Sequence, residues 1–219
     1  DHIDNFYGKR CRDILGTKRL GAVLLQLPPQ FHNTPEHIDR IKAVGARMPK
    51  EVRIAVEFRH KSWYTDEVYA VLRSLKWGLV ATHNHDVGFS PVVDTGADFL
   101  YVRLHGSVGR YVGDYGAVAM DLWAAKVAEY VIANPNNMVF FFLNNNESHH
   151  NHLTSSIADA SYLAKKLKEL LAAGGGGGAA AVAAAPVAAT PTTNSVVDKP
   201  ATPSGPQDQS VAPAASPKV

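Results

Sequence analysis

The chain has a single cysteine, Cys11, among its 219 residues, so no disulfide can form within it. A lone cysteine favours a reducing compartment, and we predict an intracellular, cytoplasmic protein. The sequence also lacks an excess of one charge sign, because 22 basic side chains nearly balance 20 acidic ones. This balance gives no support for a broad nucleic-acid-binding surface, although it leaves a local basic cleft open.

Long apolar runs are also absent. The longest have the length of a strand, well short of the about 20 residues that a membrane helix needs, and we predict no membrane contact. No signal-peptide pattern opens the chain. Its first residue is Asp1 rather than Met, which is compatible with a fragment.

The composition changes abruptly from residue 174 onward. Five consecutive glycines precede an alanine-rich stretch and a Pro/Thr/Ser/Val segment that has no aromatic residue. Such a segment buries too little apolar surface to offset the entropy lost on ordering it. We therefore predict a disordered Gly/Ala/Pro-rich tail over residues 174–219, with a docking role as the alternative. The folded domain is predicted over residues 20–173, after an N-terminal helical connection over residues 1–19.

Strand-like and helix-like segments alternate within the predicted domain. Strands are predicted at residues 20–27, 52–58, 78–82, 99–104 and 138–143. Thr34 and Thr65 are predicted to cap the first two helices, and two more follow at residues 119–133 and 154–171. A polar loop, residues 83–96, stands where a helix would follow the third strand. This alternation predicts an α/β fold with a parallel sheet.

Four segments of the chain resemble the domain of unknown function 72 family, the YecE-like proteins. They are LLQLPP at residues 24–29, VEFRHKSW at 56–63, YVRLHG at 101–106 and the asparagine pair at 144–145. The resemblance implies a TIM-barrel-like fold, of which this chain would hold about five of eight βα units and lack the first three. It also implies a shared pocket at the strand ends, and no particular reaction.

Glu57 and His105 are the candidate catalytic residues. Glu57 lies at the end of one apolar strand and His105 follows another, and barrel enzymes keep their active sites at the carboxyl ends of strands. Carboxylate and imidazole groups suit acid–base work near neutral pH. The alternative for Glu57 is an ion pair with Arg103 or Arg59, and the alternative for His105 is a buried, hydrogen-bonded structural histidine.

The candidate ligand-binding residues come from the same strand ends. The guanidinium groups of two arginines could hold a phosphate or a carboxylate, and side-chain amides there could orient the ligand. An ion pair with Glu57 or an aspartate is the alternative for the arginines, and a bond to a neighbouring strand is the alternative for the amides. His60 also flanks a strand end, and its alternative is a buried, hydrogen-bonded structural histidine. The set is Gln26, Arg59, His60, Arg103, Asn144 and Asn145.

Three further groups are open to a functional or a structural interpretation. Trp63 and Tyr101 could stack on a flat ligand or pack in the core. A metal could bind a set of His83, His85, Asp86, Glu57 and His105, but the spacing matches no recognised signature and we assign no metal. The glycine-rich residues 106–113 could hold a phosphate through backbone amides, without the lysine of a P-loop.

Two classes of function fit these residues. The first is a barrel enzyme acting on an anionic or phosphorylated small molecule or on a nucleic-acid end. The second is a non-catalytic ligand- or protein-binding module that uses the same pocket. No cofactor is assigned. Because five units cannot close an eight-stranded barrel, we also predict that residues 20–27 form an exposed edge through which chains self-associate.

Overall fold

The protein is described from a computed structural model. The structure describes residues 19–144 and 155–174, together with residues 2–6, 9, 13, 14 and 17 near the N-terminus. The predicted tail, Cys11 and Asn145 therefore lie outside the described residues, apart from Gly174. Among the described residues no helix is long and apolar enough to traverse a lipid bilayer.

The predicted α/β fold class is confirmed, with helices and strands alternating along the chain. The elements are α1 (His2–Asn5), β1 (Val23–Gln26), α2 (Pro35–Arg47), β2 (Ile54–Glu57), α3 (Asp66–Leu75), β3 (Gly78–Asn84), β4 (Gly88–Phe89), β5 (Phe99–Leu104), α4 (Gly116–Ala133), β6 (Met138–Leu143) and α5 (Ser155–Gly174). Five strands form a parallel sheet in the order β1-β2-β3-β5-β6, the sequential arrangement expected for consecutive units of a TIM-barrel-like sheet.

Helix starts follow local sequence signals. The hydroxyl of Thr34 accepts a hydrogen bond from the His37 amide, and Pro35 occupies the first turn of α2. Thr65 caps α3 in the same way, accepting from the Val68 amide. In α4 the cap comes from another helix, because the buried Asp159 of α5 accepts bonds from two amides at its start.

The first and third predicted strands differ in length from those in the structure. β1 covers only Val23–Gln26 of the predicted residues 20–27, and its side chains are half-buried to exposed. Within the described residues β1 pairs only with β2, so it is an edge strand. The loop predicted after the third strand begins later, because β3 continues to Asn84 and turns back through the antiparallel β4.

Alternating side chains divide the core between the two faces of the sheet. On the helix side one cluster joins β2 and β3 to α2 and α3, and another joins β5 to α4 and α5. The inner face carries Ala55, Val80, Phe99 and Tyr101, against which Phe140 packs. Gly21 allows a close approach there, since a Cβ atom at this position would lie 2.7 Å from the Phe140 ring.

Candidate functional site

Polar side chains lie directly beyond the apolar inner face of the sheet. Along β2 and β5, Ala55 and Tyr101 belong to the inner cluster, and Glu57 and Arg103 follow two residues later on the same face. Gln26 is in register with Glu57. We call Gln26, Glu57, Arg59, Arg103 and His105 the strand-end cluster. The parallel order of the strands brings their carboxyl ends, and hence these side chains, to one end of the sheet.

Glu57 is fully buried between two arginines. Its Oε2 accepts a short hydrogen bond from Nη1 of Arg103, and its Oε1 lies 2.9 Å from Nη2 of Arg59. The Arg59 contact is an ion pair whose angles fall short of a hydrogen bond, since Oε1 has no hydrogen-bond partner in the described chain. The side chains of Arg59 and Arg103 are 6% and 17% exposed. The ion-pair alternative for Glu57 is therefore present, with both candidate partners.

Gln26 joins the two arginines from the neighbouring strand. Its Oε1 accepts hydrogen bonds from Nη1 of Arg103 at 3.0 Å and from Nη2 of Arg59 at 3.2 Å. Two cationic donors require the amide oxygen to face them, so the NH₂ group of Gln26 points elsewhere. Arg59 also contacts Asp86, whose Oδ2 lies 3.5 Å from Nη1.

His105 belongs to the same buried network. Its Nε2 lies 3.1 Å from Nη2 of Arg59 and 3.9 Å from Oε1 of Glu57. Because a guanidinium only donates, Nε2 accepts, and the proton of the neutral ring sits on Nδ1 near the His83 carbonyl oxygen, 3.3 Å away. Burial, and then the charges of Arg59 and Arg103, lower the pKa of His105 to about 4. At pH 7 this imidazole is neutral and holds no second proton to give.

His60 lies outside these contacts. Its Nδ1 is 2.8 Å from the hydroxyl of Ser62 and accepts from the Ser62 amide, which starts a short 3₁₀ turn over Lys61–Trp63. Its ring stacks on His32 with centroids 3.9 Å apart. His60 thus contacts Ser62 and His32, and its ligand-binding role remains a prediction.

The packing interpretation fits the two aromatic candidates best. Trp63 is fully buried, lies between the rings of Phe31 and Phe58, and donates from Nε1 to the Phe31 carbonyl oxygen. Tyr101 is also buried and stacks on Phe142, with centroids 5.0 Å apart. Both rings are therefore largely inaccessible to a ligand, with 0% of Trp63 and 8% of Tyr101 exposed.

Asn144 follows β6 at the same end of the sheet. Its amide donates to the Leu104 carbonyl oxygen at 2.7 Å. Its buried Nδ2 has no hydrogen-bond partner within the described residues, and the same holds for Nε of Arg59. Two buried donors near the strand ends therefore lack a partner in the described part of the chain, whereas most buried donors in proteins are bonded.

The alternative metal set is dispersed. Nδ1 of His83 lies 2.8 Å from the Tyr115 hydroxyl, and its ring stacks on Phe89. Asp86 contacts Arg59 instead. In the described ranges no three His, Cys, Asp or Glu side chains are placed to hold a metal ion.

Four backbone amides of the glycine-rich loop donate hydrogen bonds to other groups of the chain. The Gly106 amide donates to the Tyr115 hydroxyl at 3.1 Å, and the Val108, Tyr111 and Val112 amides donate to carbonyl oxygens of the chain itself. These four amides are not available to a ligand, and a phosphate cradle formed by the loop stays a prediction. Tyr111, which the sequence did not single out, lies in this loop with its ring 5.8 Å from that of His105.

Comparisons with known proteins agree with this fold. The family model described as "Protein of unknown function DUF72" matches residues 2–177. A solved DUF72 family protein from Enterococcus faecalis V583 is 20% identical with a TM-score of 0.59, over 78% of this chain and 65% of that one. Another, from Thermotoga maritima MSB8, is 23% identical with a TM-score of 0.58, and the match covers 76% of this chain and 64% of that one. The chain thus spans slightly less than two thirds of the length of these two solved proteins. A search of curated proteins found no match.

Proposed function

This chain belongs to the DUF72 family of proteins of unknown function, and from the geometry of the strand-end cluster we propose that it binds an anionic small molecule at the carboxyl ends of its strands. The observation that carries the proposal is the pairing of one carboxylate, Glu57, with two guanidinium groups. Arg59 has a further acidic neighbour at 3.5 Å, whereas Arg103 has none among the described residues.

Arg103 is the group we expect to meet the anion. Only its Nη1 bonds to Glu57 and Gln26. Its Nε and Nη2 have no partner in the described part of the chain. An arginine fixed by a buried carboxylate on one edge presents its other edge in a defined orientation, which suits a phosphate or carboxylate. The unsatisfied Nδ2 of Asn144 adds a neutral donor at the same end of the sheet.

The proposed ligand is a phosphorylated or carboxylated small molecule, with a nucleic-acid end as a larger form of the same chemistry. The overall charge of +2 gives little long-range attraction for a polyanion, which favours the small molecule. An intracellular location, inferred from the single cysteine, agrees with such a ligand and stays a prediction.

An enzymatic role would add proton transfer by Glu57 or His105 to this binding step. Both side chains belong to one buried network, in which Nε2 of His105 lies 3.9 Å from Oε1 of Glu57. The low pKa of His105 limits that residue to accepting a proton at pH 7, and Glu57 has both oxygens beside arginines. The geometry consequently supports binding more directly than turnover, and a non-catalytic module remains the alternative.

Titration with inorganic phosphate, followed by calorimetry, tests the proposal. We expect Arg103→Met to weaken binding about 10- to 100-fold, the usual range for a charge-assisted hydrogen bond. Arg53→Met is the matched control, because Arg53 forms an exposed ion pair with Asp98 before β2 and β5. Equal phosphate affinity in both variants would contradict the proposal.

Two additions complete this test. Arg103→Lys keeps the positive charge but loses the planar guanidinium, which can donate two parallel hydrogen bonds to one anion. If it folds like the parent chain, its phosphate affinity should lie between those of the parent and of Arg103→Met. Incubation with p-nitrophenyl phosphate distinguishes the two classes of function. Turnover by the parent chain that Arg103→Met weakens would favour an enzyme, and binding without turnover would favour the module.

A further inference from the structure

Tyr111 has an unusual backbone conformation for a bulky residue. Among the described residues other than glycine, only Lys76 and Tyr111 have positive φ angles, 54° and 65°. Lys76 has an ordinary reason, since it is the left-handed C-cap of α3 and its amide bonds to carbonyl oxygens of the last turn. Tyr111 lies in the loop between β5 and α4, at neither helix end.

The local turn would ordinarily favour another residue at this position. The Val112 amide donates to the Gly109 carbonyl oxygen at 3.2 Å and closes a four-residue turn, with Arg110 and Tyr111 in the centre. A positive φ at the third residue of such a turn usually selects glycine or asparagine. The chain places tyrosine there, although glycines stand nearby at 109 and 113.

The surrounding loop holds this turn in place. Gly106 has φ of 105°, and any Cβ atom there would collide with the carbonyl oxygens of Gly109 and Val112. The hydroxyl of Tyr115 donates to the Gly106 carbonyl oxygen at 3.0 Å and accepts from its amide. The strain at Tyr111 is therefore sustained by its neighbours, as occurs where a backbone is fixed for binding.

Tyr111 contacts His105, a member of the strand-end cluster. The Tyr111 amide donates to the His105 carbonyl oxygen at 2.6 Å, and the rings of the two residues are 5.8 Å apart. The guanidinium carbon of the exposed Arg110 lies 5.7 Å from the centroid of the Tyr111 ring. The His105 ring in turn contacts Arg59 through Nε2, so His105 links the Tyr111 ring to the strand-end cluster.

We propose that Tyr111 is a ligand-contacting residue, and that the anion bound at the strand-end cluster is carried on a flat ring that packs against it. This inference rests on the proposed function and adds the class of ligand. An aromatic ring next to His105, which itself contacts Arg59, suits a ring-bearing phosphate or carboxylate, because the ring and the anion are then recognised by separate groups.

Phenyl phosphate and inorganic phosphate are the probes, with affinities from calorimetry. The phenyl ring should tighten binding about three- to tenfold, the range usual for one aromatic pair. Tyr111→Gly should remove that gain and leave the affinity for inorganic phosphate unchanged, while Tyr111→Phe should retain it. Because glycine relieves the positive φ, Tyr111→Gly should also raise Tm by about 2–4 °C.

Lys76→Gly is the matched control, since it relieves the same backbone strain away from the site. It should raise Tm similarly and leave both affinities unchanged. If inorganic phosphate binds but the phenyl ring adds nothing, or if Tyr111→Gly keeps the gain, the inference is overturned and the proposed function stands. If neither probe binds, both are overturned.

Discussion

The protonation of His105 couples the strand-end cluster to the stability of the domain. In the folded chain its pKa is lowered from 6.5 to about 4, first by burial and then by Arg59 and Arg103. The unfolded chain therefore binds more protons between these values, and stability falls as the pH drops through that window. The contribution is fully present above pH 6.5 and lost as the pH approaches 4.

The size of the effect follows from the two pKa values. Between pH 7 and pH 5, protonation of the unfolded histidine favours unfolding by about 2 kcal/mol, and complete titration would bring this to about 3 kcal/mol. Burial also lowers the pKa of His83, so the pH dependence of the parent chain contains more than one histidine. His105→Gln isolates the term of interest, because its amide oxygen can accept from Arg59 without titrating.

Urea unfolding of the parent chain and of His105→Gln at pH 7 and pH 5 measures the difference. We expect the parent to lose about 2 kcal/mol more than the variant over this interval. An NMR titration of the His105 ring gives the pKa directly. A value near 6.5, or equal pH dependence in the two proteins, would show that the imidazole is not held neutral beside the arginines.

Two further predictions concern stability and assembly. Glu57→Gln should lower the free energy of unfolding by about 3–5 kcal/mol, because it leaves the buried Arg59 without the nearer of its two carboxylates. Val56→Ala should lower it by about 2–3 kcal/mol through a cavity on the helix side. Urea unfolding of both variants checks this, and an unchanged stability of Glu57→Gln would refute the structural part of the role of Glu57. The edge strand β1 should make the isolated chain self-associate. Analytical ultracentrifugation tests that expectation, and a monodisperse monomer would contradict it.

Local signals allowed much of the fold to be predicted from the sequence. The bounds of β5 and β6 agree with their apolar runs, and Thr34 and Thr65 cap the helices that follow them. The turn of β3 back through β4 was missed, because the polar loop residues that form it carry no clear strand pattern. The domain boundaries and the tail remain predictions.

The composition of the strand-end cluster could be predicted, but the state of its members could not. Side chains that follow parallel strands must share one end of the sheet, and that argument needs only the order of the elements. The neutral state of His105 depends on Arg59, which lies 46 residues away in the chain, and on the extent of burial. The strain at Tyr111 depends on a turn that residue types alone would assign to glycine.

The arrangement around Glu57 explains why binding and stability are difficult to separate at this site. A fully buried carboxylate offsets the burial of Arg59 and orients Arg103, so its removal changes the fold and the proposed pocket together. Arg103 is more exposed and keeps one edge unpaired in the described chain. Substitutions at Arg103 and in the Tyr111 turn consequently report on ligand binding with less disturbance of the core, whereas a loss of activity in a Glu57 variant would by itself identify neither role.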